Sequence, residues 1–115
     1  MDRRIELVIK KIKSEPAAPW DNESLGALVN LSPSRFRHLF KQQTGVGPAQ
    51  YLKECRLRNA ERMLRTTFLS VKQILKHVGL GSNAHFVRDF RKKHGMTPTA
   101  YRRSYKPRRT KKKRS

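Results

Sequence analysis

Acidic residues are scarce. The chain holds 8 aspartates and glutamates against 28 lysines and arginines in 115 residues, a net charge of +20. Such an excess of one sign repels itself in a compact fold and calls for a polyanionic partner. Nucleic acid is the first candidate and an anionic membrane surface the second. Cysteine is nearly absent. Cys55 is the single one, so no internal disulfide forms, which suits a reducing cytoplasm. It falls in a helical pattern and reads as a small apolar residue. A reactive thiol is the alternative, and nothing nearby singles it out. No apolar run approaches the roughly 20 residues of a membrane span. Charges interrupt the opening "MDRRIELVIKKIKSE", which leaves no signal-peptide core. Cys55, His38, His77, His85 and His94 match no zinc-ligand spacing, so no metal is expected. The few acids form no cluster with a positioned nucleophile, so neither catalysis nor a cofactor is expected.

What the chain does contain is a repeat. "RFRHLFKQQTGVGPAQY" at 35–51 returns as "HFVRDFRKKHGMTPTAY" at 85–101, with Phe36/Phe86, Phe40/Phe90, Gly45/Gly95, Pro48/Pro98 and Tyr51/Tyr101 identical in step. The offset is 49 residues earlier in each copy (Leu25/Ile74, Val29/Val78, Leu31/Leu80) and 50 later, so the second turn is one residue longer.

Helical periodicity runs throughout and no segment alternates as a strand does. Ile5, Val8, Ile9 and Ile12 line one face of an opening helix, with basic residues opposite. This helix docks on the domain; a membrane-surface helix is the alternative. "SEPAAP" breaks it. Asp21 caps the next helix, Trp20 packs as a hydrophobic staple beside that cap, and Leu25, Leu28 and Val29 form an inner face. Ser32 and Pro33 open a third helix, Phe36, Leu39 and Phe40 turn inward from it, and Gly45 ends it. A longer helix over 48–65 carries Tyr51, Leu52, Cys55, Ala60, Met63 and Leu64, and spans about 27 Å at 1.5 Å per residue. The cycle then repeats. Ser70 and Gln73 make a capping box, Val71, Ile74, Leu75 and Val78 an inner face, and Thr97-Pro98 opens the last helix.

The expected fold is therefore all-α, about seven helices. Two helix-turn-helix lobes (1–47 and 67–105) are joined by a long helix over 48–66 and followed by a basic, disordered tail over 106–115. With the phenylalanines inside, helix 32–43 leaves Ser34, Arg37, His38 and Lys41 on its far face. Helix 82–94 leaves Asn83, Ala84, Val87, Arg88 and Arg91 facing out. A helix-turn-helix presents such a face to the DNA major groove. An exposed valine there suits a thymine methyl better than it suits a solvated surface. Two units in one chain suit two successive major grooves, about 34 Å apart.

The second copy contains V-G-x-x-S-x-x-x-F-x-R-x-F-x-x-x-x-G-x-x-P-x-x-Y-R in full. Over about residues 20–105 the chain resembles the DNA-binding domain of AraC/XylS-type transcription regulators. The resemblance implies a seven-helix, two-lobed fold that binds promoters. It also implies that Ser34, Arg37 and His38 of the first recognition helix, and Asn83, Ala84, His85, Val87 and Arg88 of the second, meet base edges. The family usually has alanine beside the inner-face residue of each first helix, where this chain has Gly26 and Leu75.

Arg37 and Arg88 are suited to bridging O6 and N7 of guanine. Asn83 is placed either to pair with adenine or to cap its helix. His38 and His85 are placed for bases or phosphates, or simply face water. Arg35, Lys41, Arg91, Lys92 and Lys93, with the helix N-termini at Ser32, Ser70 and Thr97, are suited to phosphates. The leading expectation is a cytoplasmic, nucleoid-associated regulator that recognises sequence in double-stranded DNA and binds as a monomer, with no membrane partner. The alternatives are a charge-driven, weakly specific or architectural nucleic-acid binder, and an interaction module contacting RNA polymerase. The helix starting at Met1 favours a stand-alone regulator over the C-terminal domain of a longer chain, in which dimer contacts come from a sensor domain.

Overall fold

The computed structural model describes residues 1–105; the basic tail expected at 106–115 lies outside them. The described residues form seven helices and no strand: α1 (Arg3–Ser14), α2 (Asn22–Ala27), α3 (Pro33–Thr44), α4 (Pro48–Thr66), α5 (Val71–Val78), α6 (Asn83–His94) and α7 (98–105). They fall into two compact units that divide within α4, between Arg56 and Leu57.

In the first unit, Ile5, Val8 and Ile12 of α1 are fully buried with Leu25, Phe36 and Phe40, and Leu52 and Cys55 of α4 close the same core. Trp20 packs on this core, as the staple beside Asp21 requires, and its indole Nε1 donates to the Glu15 carbonyl at 2.8 Å. Arg56 ties down the segment after α1 by donating to the carbonyls of Pro16 (2.8 Å) and Ala18 (2.7 Å). The expectation for Leu28 is corrected. It is the C-cap of α2, at 48% exposure: the chain tightens there, the Leu28 amide donating to the Leu25 carbonyl three residues back, so regular α-helical spacing no longer sets the buried face. Val29 is half-buried against the core.

In the second unit, Leu57, Ala60 and Leu64 of α4 are buried with Ile74, Leu75, Val78, Phe86, Phe90 and Tyr101. Their i, i+3, i+7 spacing is that of Ile5, Val8 and Ile12. The C-terminal half of α4 thus serves this core as α1 serves the first. Arg102 plays the part of Arg56, donating to the carbonyls of Leu64 and Thr67 at 3.1 Å each.

The helix ends follow from side-chain chemistry. Asp21, Ser32, Ser70 and Ser82 each accept from a backbone N–H in the first turn of the following helix. Thr97 accepts from the Ala100 amide in the same way. Gly45 and Gly95 end α3 and α6 at φ 88° and 73°, in the left-handed region that other residues enter at a cost.

Candidate nucleic-acid interface

Each unit holds two helices in the order of a helix-turn-helix, α2 before α3 and α5 before α6. In the first unit the turn is Asn30-Leu31, with Asn30 at φ 58°, a conformation that asparagine tolerates. The Leu31 amide then donates back to the Gly26 carbonyl at 2.9 Å. In the second unit the Leu80 amide donates to the Leu75 carbonyl at 3.0 Å, in the same register. Gly26 and Leu75 are thus equivalent positions with opposite steric demands. A Cβ at residue 26 would lie 2.7 Å from the Leu31 carbonyl oxygen and 3.2 Å from the Phe36 Cβ. Leu75 instead has its side chain buried in the second core.

The second helix of each unit is anchored by aromatic packing. Phe36 and Phe40 have ring centroids 5.6 Å apart, and Phe40 meets Tyr51 edge-on at 5.3 Å. Phe86 and Phe90 repeat the 5.6 Å pair, and Phe90 meets Tyr101 edge-on at 5.1 Å. With these side chains inside, Ser34, Arg35, Arg37, His38 and Lys41 are exposed on α3. On α6, Asn83, Ala84, His85, Arg88, Arg91, Lys92 and Lys93 are exposed. Ser32 and Ser70 are also exposed, and Thr97 is half-buried.

Three placements refine the sequence reading. Val87 is half-buried and packs against the second core, not fully outward, because its position on α6 borders the phenylalanine face. It still reaches a shallow, open concavity of the helix surface lined by Asn83, Ala84, Val87, Arg88 and Arg91. The cap of α6 is Ser82, whose hydroxyl accepts from the His85 amide. Asn83 is therefore the first residue inside the helix. Lys93 does not simply face outward: its Nζ lies 3.0 Å from Glu61 of α4.

Glu61 is the residue that sequence reasoning missed. Its carboxylate also meets His94 Nε2 at 2.9 Å, with only 13% of the Glu61 side chain exposed. The His94 ring lies 4.3 Å from Phe90 and 4.9 Å from Tyr101. Burial alone would raise the Glu61 pKa. The hydrogen bonds from His94 and Lys93, and their charge, outweigh it and hold the carboxyl below its ordinary value. The C-terminus of α6 is thus pinned to α4. A lone acid 33 residues from its partner in sequence carried no signal of this.

No group of three or more potential metal ligands occurs among the described residues. No described helix is long and apolar enough to cross a membrane.

A profile of the helix-turn-helix domain matches residues 25–104, more than half of the chain. The chain belongs to the AraC-type helix-turn-helix family. It is similar to an HTH-type transcriptional regulator of Haemophilus influenzae, 32% identical over 90% of this chain and 35% of that protein. It is equally similar, at 32% over 89% of this chain and 35% of the other, to the arabinose operon regulatory protein of Escherichia coli. The chain spans about a third of the length of the curated relatives it matches. Its structure resembles the DNA-binding domain of AdpA, a global transcriptional factor solved with a target DNA. The TM-score is 0.83 at 30% identity, covering 93% of this chain and 96% of that one. The AraC-type domain matched here is a DNA-binding domain of transcription regulators, not an enzyme domain.

Proposed function

We propose that this AraC-type domain regulates transcription by recognising a specific sequence in double-stranded DNA, reading two successive major grooves with α3 and α6. The observation that carries the reading is the duplicated face: opposite each buried phenylalanine pair the chain sets an exposed polar and basic surface. Ser34, Arg37 and His38 read bases from α3. Asn83, Ala84, His85, Val87 and Arg88 do so from α6. Arg37 and Arg88 are the strongest discriminators, since a guanidinium donates to two acceptors of guanine at once. Arg35, Lys41, Arg91 and Lys92 hold phosphates, aided by the helix N-termini at Ser32, Ser70 and Thr97. Lys93 contributes less, because Glu61 already holds its charge.

Selection of binding sites from randomised duplex DNA at about 150 mM salt tests the proposal, since non-specific phosphate binding is weakened there. Two conserved blocks about one helical turn apart are expected. One short block would mean that a single unit reads bases while the other clamps the backbone. No enrichment would favour a charge-driven binder, the reading that the net charge of +20 supports on its own.

A further inference from the structure

The two reading faces use equivalent positions but different chemistry. Residues 34 and 37 of α3 are Ser34 and Arg37; fifty residues on, the same places of α6 hold Ala84 and Val87. These two apolar side chains line the concavity of α6, with Asn83, Arg88 and Arg91 around them. Val87 is anchored by its packing on the core, and a β-branched side chain has little torsional freedom on a helix. The apolar surface is therefore held in place. Ala84 and Val87 themselves offer no donor to a phosphate, which leaves phosphate contact to Arg91 at the edge of the patch. An apolar hollow ringed by guanidinium groups is not what a merely solvated face requires. It suits an apolar group carried by an anionic groove. The major groove offers one such group on its base edges, the C5-methyl of thymine.

Resting on the two-groove reading above, we propose that Ala84 and Val87 form a 5-methylpyrimidine reader on α6 and that α3 has no counterpart. The operator is then asymmetric. The block under the second unit depends on a thymine methyl, and the block under the first depends on polar base edges alone. That asymmetry gives the bound protein one orientation on the DNA.

The test uses the full chain and the selected operator. Each thymine is replaced in turn by deoxyuridine, which removes the methyl and leaves every hydrogen-bonding group in place. Within one block only, one or two replacements are expected to weaken binding roughly fourfold, the worth of one buried methyl-sized group. At the same position, a 5-methylcytosine·guanine pair should bind more tightly than a cytosine·guanine pair. Val87→Ala should bind the thymine and deoxyuridine duplexes equally. Arg37→Ala should weaken both and keep their ratio. Each ratio is taken on one protein, so a change in folded fraction cancels. If a two-block operator is selected but no thymine responds, or the response survives in Val87→Ala, the methyl reader is overturned and the two-groove reading stands; a single-block operator overturns the two-groove reading and, with it, the proposed asymmetry. If no operator is selected, both are overturned.

Discussion

Gly26 sits where the turn after α2 folds back on itself. Its carbonyl accepts from the Leu31 amide, while the Leu31 oxygen occupies the space a Cβ would need. Two effects of Gly26→Ala oppose each other. Alanine gains roughly 1 kcal/mol of helix propensity, but forcing a methyl against a backbone oxygen costs about 1–3 kcal/mol. The contact is with backbone rather than a movable side-chain tip, so the clash wins. Gly26→Ala should lower stability by about 1 kcal/mol in chemical denaturation; a gain would show that the turn opens freely. Glu61 gives a pH signature. Its folded pKa lies below its unfolded value, so its stabilisation is complete above the ordinary glutamate value of 4.5 and is lost as pH falls through the folded pKa. Thermal denaturation from pH 7 downwards should show a loss beginning near there. Glu61→Gln should remove that part of the slope, worth no more than about 1 kcal/mol for a pair still open to water. Arg37→Ala and Arg88→Ala should each cost about 1–3 kcal/mol of DNA binding and relax preference at a few base pairs. An unchanged selected sequence in both would refute the assigned reading face.

The helices were legible because their ends are written in local chemistry. Ser32-Pro33, the Ser70/Gln73 pair, Gly45 and Gly95 mark starts and stops through hydrogen bonds that span four residues or fewer. Ser82 was equally readable in principle, lying 50 residues after Ser32, but the adjacent Asn83 is as good a cap by residue type. Leu28 misled for a different reason. Periodicity assigns a face only while the regular α-helical spacing continues, and at Leu28 the chain tightens to a three-residue hydrogen bond. Ser70 separates helix capping from DNA contact in one position. Ser70→Ala should destabilise by about 1 kcal/mol through loss of the cap. Ser70→Asp should keep the stability and weaken DNA binding, because a carboxylate replaces the hydroxyl where a phosphate is proposed to lie. Melting temperature and fluorescence anisotropy on the two variants resolve the two effects.

For the molecule as a whole, charge sets association more than fold. If Arg35, Lys41, Arg91 and Lys92 each displace one counterion, the logarithm of the association constant should fall with the logarithm of salt concentration with a slope of roughly −4. Lys93→Ala should change that slope little, since Glu61 already pairs it. Lys92→Ala should reduce it by about one. Anisotropy titrations at several salt concentrations measure both.

The all-helical class, the duplication and the candidate reading faces are present in the order of residues. Apolar periodicity and capping act over a few positions, and a 50-residue repeat is visible without coordinates. The partner of Glu61, the arginines that bind distant main-chain carbonyls and the half-burial of Val87 are not. Each depends on segments far apart in sequence arriving at the same place. Partial burial then strengthens their hydrogen bonds and packing, because water competes less for the same groups. Packing likewise gave one position two solutions: a glycine where the first turn closes on α2, and a buried leucine at the matching place in the second unit.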